Sequence, residues 1–247
     1  MKKLALLGRH LGHTFSPSYF AEKFQREGIE GFEYGTIEMA EITEFPAVLE
    51  KDPALVGFNV TIPYKTDIIP YLDALDETAA FIGAVNTIQV REGRLKGFNT
   101  DVIGFRKSLE NFLPEDFAGR ALILGTGGSS RAVEFVLDKM KIPFHFVSRK
   151  AIPRGYTYGQ LTADIMETVS LIINTTPLGM FPDTGRAPDI PYHLLDESYY
   201  LFDLIYNPPE TRFMERGKVQ GAQVKNGYEM LELQAEASWE IWNAHGR

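Results

Sequence analysis

Lys65 and Asp101 are the residues best suited by type to handle a proton at a reacting oxygen. An ammonium beside a developing alkoxide stabilises its charge and can donate a proton, while a neighbouring carboxylate orients the ammonium. The plainer readings are a surface lysine after a strand and an aspartate capping a helix. Neutral polar groups gather in the same part of the sequence. His13-Thr14-Phe15-Ser16-Pro17 sets two hydroxyls before a helix start, where unpaired N–H groups favour a carboxylate ligand. In Phe58-Asn59-Val60-Thr61-Ile62-Pro63-Tyr64-Lys65, side chains alternate along a strand, so Asn59, Thr61 and Pro63 share one face ahead of Lys65. Gly83-Ala84-Val85-Asn86-Thr87 and Gly97-Phe98-Asn99-Thr100-Asp101 add amides, hydroxyls and a carboxylate near strand ends. Downstream, Gln234 is the one amide on a helical face shared with Gly227, Met230 and Leu231. A buried amide needs a partner, which is either a ligand or a backbone group. Such a set suits a compact polyhydroxylated acid.

A second constellation belongs to a dinucleotide. Leu122-Ile123-Leu124 runs into Gly125-Thr126-Gly127-Gly128-Ser129-Ser130, with a helical pattern directly after it. Glycines admit a pyrophosphate close to the backbone, and the helix N-terminus offers unpaired N–H groups and a positive dipole end. Ser130 stands where the usual fingerprint has its third glycine, and is small enough for close helix–strand packing. The next strand ends in Ser148-Arg149-Lys150, where NAD-binding chains usually carry an acid for the ribose 2′-hydroxyl. Cations there favour a 2′-phosphate, which predicts NADP(H) over NAD(H). The bland alternatives are an ordinary βα turn and two solvated cations.

The elements that must position these groups alternate along the chain. Strands are predicted at residues 3–8, 32–38, 55–62, 85–91 and 94–98, and helices at 17–27 (capped by Ser16), 42–50 and 73–82. A helix over 101–112 follows. A second series has strands at 120–124, 143–148, 171–174 and 199–205, with helices at 129–141 and 227–244. Such alternation implies parallel sheets faced by helices, in two units of which the first ends near residue 100. Residues 151–159, with two Gly, one Pro and two Tyr, read as a surface loop.

Composition narrows the classes. The chain has 247 residues, 44% hydrophobic and 23% charged, which is too apolar for disorder. Its net charge of -8 argues against nucleic-acid or anionic-membrane partners, both of which want a basic face. With no cysteine, disulfides, thiolate nucleophiles and Cys-ligated metals are excluded, and the five His show no metal-binding spacing, so no metal is expected. The apolar run Leu4–Leu7 is too short for a signal peptide, and a cytoplasmic location is expected.

These segments, in this order, resemble the shikimate dehydrogenase family: HTFSP, GFNVTIPYK, GAVNT, GFNTDVIGF, GTGGSSRAV, INTTPLGM, DLIYNPPETRF and NGYEMLELQA. The resemblance implies an α/β fold, with an N-terminal substrate domain on a mostly parallel sheet and a Rossmann-type NADP-binding domain. It implies that residues 1–100 form the substrate domain, completed by a C-terminal helix over 228–247, with the NADP domain at 101–227. The implied activity is NADPH-dependent, reversible reduction of 3-dehydroshikimate to shikimate, in aromatic amino-acid biosynthesis. By resemblance Lys65 and Asp101 are catalytic, and Thr14, Ser16, Asn59, Thr61, Asn86 and Gln234 hold the substrate. Gly125, Gly127, Gly128, Ser148, Arg149 and Lys150 meet the cofactor, while Thr175, Leu204, Tyr206 and Gly227 border the nicotinamide. The expected partners are small molecules, with the protein a monomer or homodimer.

The sequence departs from the family's habits in three places. Thr14 replaces a usual serine, keeping the hydroxyl but adding a methyl. Ser148-Arg149-Lys150 replaces a usual Asn-Arg-Thr, and the chain is short, with residues 151–164 expected to be trimmed. Rival readings are a quinate/shikimate dehydrogenase, an NADP enzyme acting on a substrate such as a folate, and a non-catalytic binding protein that keeps the fold. Retention of both Lys65 and Asp101 argues against the last.

Overall fold

The structure is a computed structural model that describes residues 1–12 and 14–244. His13, part of the hydroxyl-bearing segment, and residues 245–247, the end of the expected C-terminal helix, lie outside the described residues. The chain divides into two compact units: Met1–Thr100 with the chain from Ala235 on, and Asp101–Gln234.

The first unit contains β1 (Lys2–Gly8), α1 (Phe15–Glu27), β2 (Phe32–Glu38), α2 (Phe45–Lys51), β3 (Leu55–Val60), β4 (Ala74–Leu75), α3 (Glu77–Ile82), β5 (Thr87–Arg91) and β6 (Arg94–Phe98). The second contains α4 (Asp101–Glu110), β7 (Ala121–Leu124), α5 (Gly128–Lys139), β8 (Phe144–Ser148), β9 (Gly155–Thr157), α6 (Ala163–Met166), β10 (Leu171–Asn174), β11 (Tyr200–Asp203), α7 (Arg212–Val219) and β12 (Gln223–Lys225). The last helix, α8 (Tyr228–Asn243), gives its residues up to Gln234 to the second unit and the rest to the first, so the division falls later than the expected boundary at 228.

The first sheet has the order β2-β1-β3-β5-β6-β4. Pairings of β1 with β2 and β3, and of β4 with β6, are parallel, whereas β3–β5 and β5–β6 are antiparallel. The sheet is therefore mixed. Its antiparallel part comes from the β5–β6 hairpin, whose turn residues Glu92 and Gly93 both have positive φ, 51° and 73°, the backbone that suits the twist of a tight hairpin. β1 is buried from Leu4 to Leu7, as expected for an unbroken apolar run in an interior parallel strand. Behind the sheet, α1, β2 and the end of α8 share an aromatic cluster in which Phe20 stacks on Tyr34 at 4.4 Å and Trp239 meets Phe32 at 5.0 Å. Gly57 on β3 makes room for this cluster, since a Cβ there would lie 2.3 Å from Trp242 Nε1.

Several sequence expectations need correction. Thr14, not Ser16, is the N-cap of α1, and it makes no side-chain cap bond; Ser16 is inside the helix and buried. The 42–50 helix is a 3₁₀ turn at Ile42–Glu44 followed by α2, with Pro46 in the first turn of α2, where a missing N–H costs least. The 73–82 helix begins only at Glu77, because Asp76 caps it through Ala79 N at 2.8 Å while Ala74–Leu75 pairs with β6. The expected loop at 151–159 contains β9, and α6 lies just beyond it. Both α7 and β12 went unrecognised in the sequence.

The second sheet is wholly parallel, in the order β12-β11-β10-β7-β8-β9. Counted from β7 as the first strand, this is the doubly wound order 3-2-1-4-5-6, which reverses between β7 and β10. Ligands of such sheets bind outside the carboxyl ends of strands at that reversal. Leu122, Leu124, Ile172 and Leu201 pack on one face against Met166, Phe213 and Met214. On the other face Phe105 of α4 meets Phe202 edge-on at 5.2 Å.

Candidate active site

In the first unit, the polar candidates are held by one another. Tyr34 donates its hydroxyl to Asn59 Oδ1 at 2.8 Å, and the Ser16 hydroxyl bonds the same phenol. Burial pushes the Tyr34 phenol far above its ordinary range, with Ser16 a smaller opposing influence. Asn59 Nδ2 donates to Ser238 Oγ at 3.0 Å, to Thr87 Oγ1 at 3.2 Å and to the Asn86 carbonyl at 3.3 Å. Asn86 Oδ1 accepts from the Thr100 N–H at 2.7 Å and from the Thr87 and Thr100 hydroxyls, each at 3.1 Å. The carbonyl end of Asn86 is thereby fixed, and with it the direction of its amide nitrogen. Ser16, Asn59 and Asn86 thus belong to one buried network, with Asn59 deep inside it.

Thr14 and Thr61 come together elsewhere in the same unit. They line an open cavity of about 350 Å³ with Arg9, His10, Leu11, Ile62 and Pro63. Thr61 is placed by its N–H, which donates to the Leu7 carbonyl at 2.9 Å and so ties the end of β3 to β1. Lys65 is half-buried on the turn beyond, where its carbonyl accepts from Val85 N–H at 2.7 Å. The neighbouring Tyr64 is buried and anchors that turn by donating to the Met39 carbonyl at 2.6 Å.

Asp101 follows the anchored Thr100 but is counted with the second unit. It is the first residue of α4 rather than its N-cap, and a carboxylate in a first turn is favoured by the helix dipole. Gln234 is also counted there, is 8% exposed, and donates Nε2 to the Leu231 carbonyl at 3.0 Å on its own helix. It packs over Gly104, where a Cβ would come within 3.0 Å of the Gln234 side chain.

The glycine turn of the second unit lies at the strand-order reversal. Gly125 has φ 104°, which explains glycine there without a ligand, and its N–H donates to the Val147 carbonyl at 2.9 Å. Gly127 is the N-cap of α5 and Gly128 its first residue. Neither has positive φ, and a Cβ on either would meet nothing within 4 Å. Internal packing therefore does not require glycine at 127 or 128, whereas close approach of a ligand to the helix N-terminus does. Ser130 donates to the Gly127 carbonyl at 2.7 Å and is buried, so the third fingerprint position is filled without opening the turn. Ser148 ends β8, and its hydroxyl accepts from Lys150 N–H at 3.4 Å. Arg149 and Lys150 are exposed. The charge of Arg149 reaches Tyr158, whose phenol is raised chiefly by burial and drawn down by that guanidinium.

Thr175 donates to the Leu124 carbonyl at 2.7 Å, joining the loop after β10 to the glycine turn. Gly227 N–H donates to the Ile205 carbonyl at 3.0 Å, and a Cβ on Gly227 would lie 2.1 Å from Leu204 O. Leu204 and Ile205 therefore pack against Gly227 beyond β11, and Tyr206, next in the chain, is exposed.

The substrate-binding domain family of shikimate dehydrogenases matches residues 6–88. A shikimate dehydrogenase (NADP(+)) of Caldicellulosiruptor saccharolyticus is 34% identical, covering 98% of this chain and 92% of its own length. The chain belongs to the shikimate dehydrogenase family. The enzyme of the same name from Methanococcus vannielii is 35% identical over 97% of this chain and 90% of its own. The crystal structure of Thermus thermophilus shikimate 5-dehydrogenase in complex with NADP(H) and shikimate matches with a TM-score of 0.87 at 31% identity, covering 98% of this chain and 94% of that one. The family's two-domain architecture with a dinucleotide-binding sheet is the fold described above.

Sequence reasoning missed Tyr34 and Ser238 as parts of the polar network, whereas the hydroxyls of Thr87 and Thr100 were already among the polar groups expected near strand ends. Ser238 had a usable signal, since it lies four residues after Gln234 and so shares its helical face. Tyr34 had none, because only the fold carries its hydroxyl from β2 across β1 to Asn59 on β3.

Proposed function

We propose that this chain catalyses the reversible, NADPH-dependent reduction of 3-dehydroshikimate to shikimate. The observation that carries the reading is the cofactor turn: a glycine-lined helix N-terminus at the strand-order reversal, followed one strand later by Arg149 and Lys150 instead of an acid. The relatives' names supply the substrate. The residues fit the dinucleotide: the N–H groups at 127–129 suit its pyrophosphate, and Arg149 with Lys150 suits a 2′-phosphate. When bound, the cofactor supplies the hydride.

The chain's own residues do the rest. Lys65 Nζ gives its proton to the substrate's carbonyl oxygen as charge develops there, and takes it back in the oxidative direction. Asp101 is the second proposed catalytic group. Thr14, Ser16, Thr61, Asn86 and Gln234 bind the carboxylate and hydroxyls, and Asn59 holds the network behind them. Thr175, Leu204, Tyr206 and Gly227 border the nicotinamide. The first unit serves as the substrate domain and the second as the NADP domain, acting in the cytoplasm as a monomer or homodimer.

The test is oxidation of shikimate or quinate, each with NADP⁺ or NAD⁺, followed by the near-ultraviolet absorbance of the reduced nicotinamide. Turnover is expected with shikimate and NADP⁺, and weakly if at all with quinate. No turnover of shikimate with either cofactor refutes the proposal.

A further inference from the structure

Asp203, at the carboxyl end of β11, is 0% exposed, and its partners are neutral donors. Oδ1 accepts from Asn174 Nδ2 at 3.0 Å and from Ile205 N–H at 3.1 Å, and Oδ2 accepts from the Thr211 hydroxyl at 2.6 Å. A carboxyl buried without a cation is costly, and a fold seldom keeps one for packing alone.

Its partners show what the group holds. Asn174 ends β10, and its Oδ1 accepts from Thr176 N–H at 3.0 Å and from the Thr176 hydroxyl at 2.7 Å. The Thr176 hydroxyl then accepts from Leu178 N–H at 3.3 Å. Ile205 belongs to the segment Leu204–Tyr206, whose backbone receives the Gly227 N–H. Thr211 caps α7 by accepting from Met214 N–H at 3.4 Å. One carboxyl thus joins the two chain segments that leave β10 and β11, beside the glycine turn to which Thr175 is bonded.

We infer that Asp203 is a positioning residue that fixes the 174–178 and 204–206 segments as one rigid wall for the nicotinamide half of the cofactor, without touching the cofactor itself. This rests on the proposed NADP(H) reading, which puts Thr175, Leu204 and Tyr206 beside that ring. Burial raises the Asp203 carboxyl to about 6, against the three hydrogen bonds that lower it, so the site is held at the expense of the charged form. An asparagine pair would tie two strand ends with less desolvation, but only an acid offers two acceptor oxygens to three converging donors.

The adenylate end of the cofactor provides the control, because Arg149 and Lys150 lie beyond β8, away from the Asp203 bonds in the sheet order. Asp203→Ala and the volume-conserving Thr211→Val are compared with wild type in two measurements: calorimetric affinity for 2′,5′-ADP, and steady-state kinetics with NADPH. A nicotinamide misplaced by about 1 Å loses up to about a hundredfold in rate. Asp203→Ala is therefore expected to lower kcat by tenfold or more, in order of magnitude, and to raise KM for NADPH while leaving 2′,5′-ADP affinity within about twofold. Thr211→Val is expected to show the same split more weakly, and it decides the matter if Asp203→Ala does not fold. Unchanged NADPH kinetics, or loss of 2′,5′-ADP affinity in parallel with kcat, overturns the inference. Wild-type protein that does not bind 2′,5′-ADP refutes the cofactor reading itself, and the inference with it.

Discussion

Adding one methyl group at Gly227 separates packing from cofactor approach. A Cβ there would sit 2.1 Å from Leu204 O and 2.6 Å from Leu204 C, both backbone atoms that no rotamer change can remove. The first gap is more than about 1 Å short of van der Waals contact. Relief requires the Leu204 peptide to move, or Gly227 to withdraw and stretch its 3.0 Å bond to the Ile205 carbonyl. Overpacking costs about 1–3 kcal/mol and the hydrogen bond about 1 kcal/mol net, so Gly227→Ala should lose about 2–4 kcal/mol. Total stabilities run to about 5–15 kcal/mol, so the variant should fold but unfold at a clearly lower urea midpoint by circular dichroism. Displacing Leu204–Tyr206 by about 1 Å should also cut kcat by up to about a hundredfold. Gly127→Ala is the control. Its Cβ meets nothing within 4 Å, so the variant should lose less than about 1 kcal/mol yet raise KM for NADPH severalfold. A Gly227→Ala protein with wild-type midpoint and kcat would refute the packing argument. A Gly127→Ala protein with unchanged KM would refute the claim that a ligand needs that glycine.

Lys65→Ala should lower kcat by about 10²–10⁴ with little change in shikimate affinity, and a variant retaining near-wild-type kcat would remove Lys65 from the chemistry. Arg149→Ala should raise KM for NADPH by about tenfold to a hundredfold, the worth of a charge-assisted hydrogen bond, while barely moving KM for NADH; equal effects on both would show that Arg149 does not read the 2′-phosphate. Asp203, held near 6 against an ordinary value of 3.8, contributes stability that is full below the ordinary value and is lost as pH rises through 6. The gap of roughly two pH units corresponds to about 3 kcal/mol, so Asp203→Asn should gain that much on wild type between about pH 4 and about pH 7 in paired urea titrations, and a pH-independent difference would contradict the raised carboxyl.

The sequence carried those features whose cause is local. β1 and β7 were legible because an unbroken apolar run flanked by glycine has few other uses, and α1 was closed correctly at Gly28, which takes φ 63°. The β5–β6 hairpin followed from Glu92-Gly93. Features caused by distant neighbours were not legible. β9 has only three residues, with Gly and Tyr in a stretch of loop-like composition, and becomes a strand through its pairing with β8. α7 lies in a segment dense in charge, and its buried Phe213 and Met214 mark a helix face only once β11 is behind them. The same division holds within the site. Lys65, the glycine turn and Arg149 could be proposed from type and spacing, whereas Tyr34, Ser238 and Asp203 depend on chain segments that only the fold brings together.

The polar network of the first unit and the glycine turn of the second are therefore built on different physics, with consequences for how readily each can change. Ser16, Asn59 and Asn86 are all buried and joined in one network, Ser16 to Asn59 through Tyr34 and Asn59 directly to the Asn86 carbonyl, so altering one leaves another buried group unsatisfied at about 1–3 kcal/mol. The proposed substrate role thus ties substrate choice to stability in the first unit, and predicts that a new hydroxyl on the substrate is met by Thr14 or Thr61 in the open cavity. On the proposed reading, the second unit meets the dinucleotide with backbone N–H groups, open glycines and the exposed cations Arg149 and Lys150. Arg149 and Lys150 are exposed, so exchanging Arg149 for an acid should shift preference toward a free 2′-hydroxyl at little structural cost. Exposed charges are also screened, so discrimination between the two dinucleotides should weaken as salt rises, while the buried, neutral network of the first unit should be nearly indifferent to it.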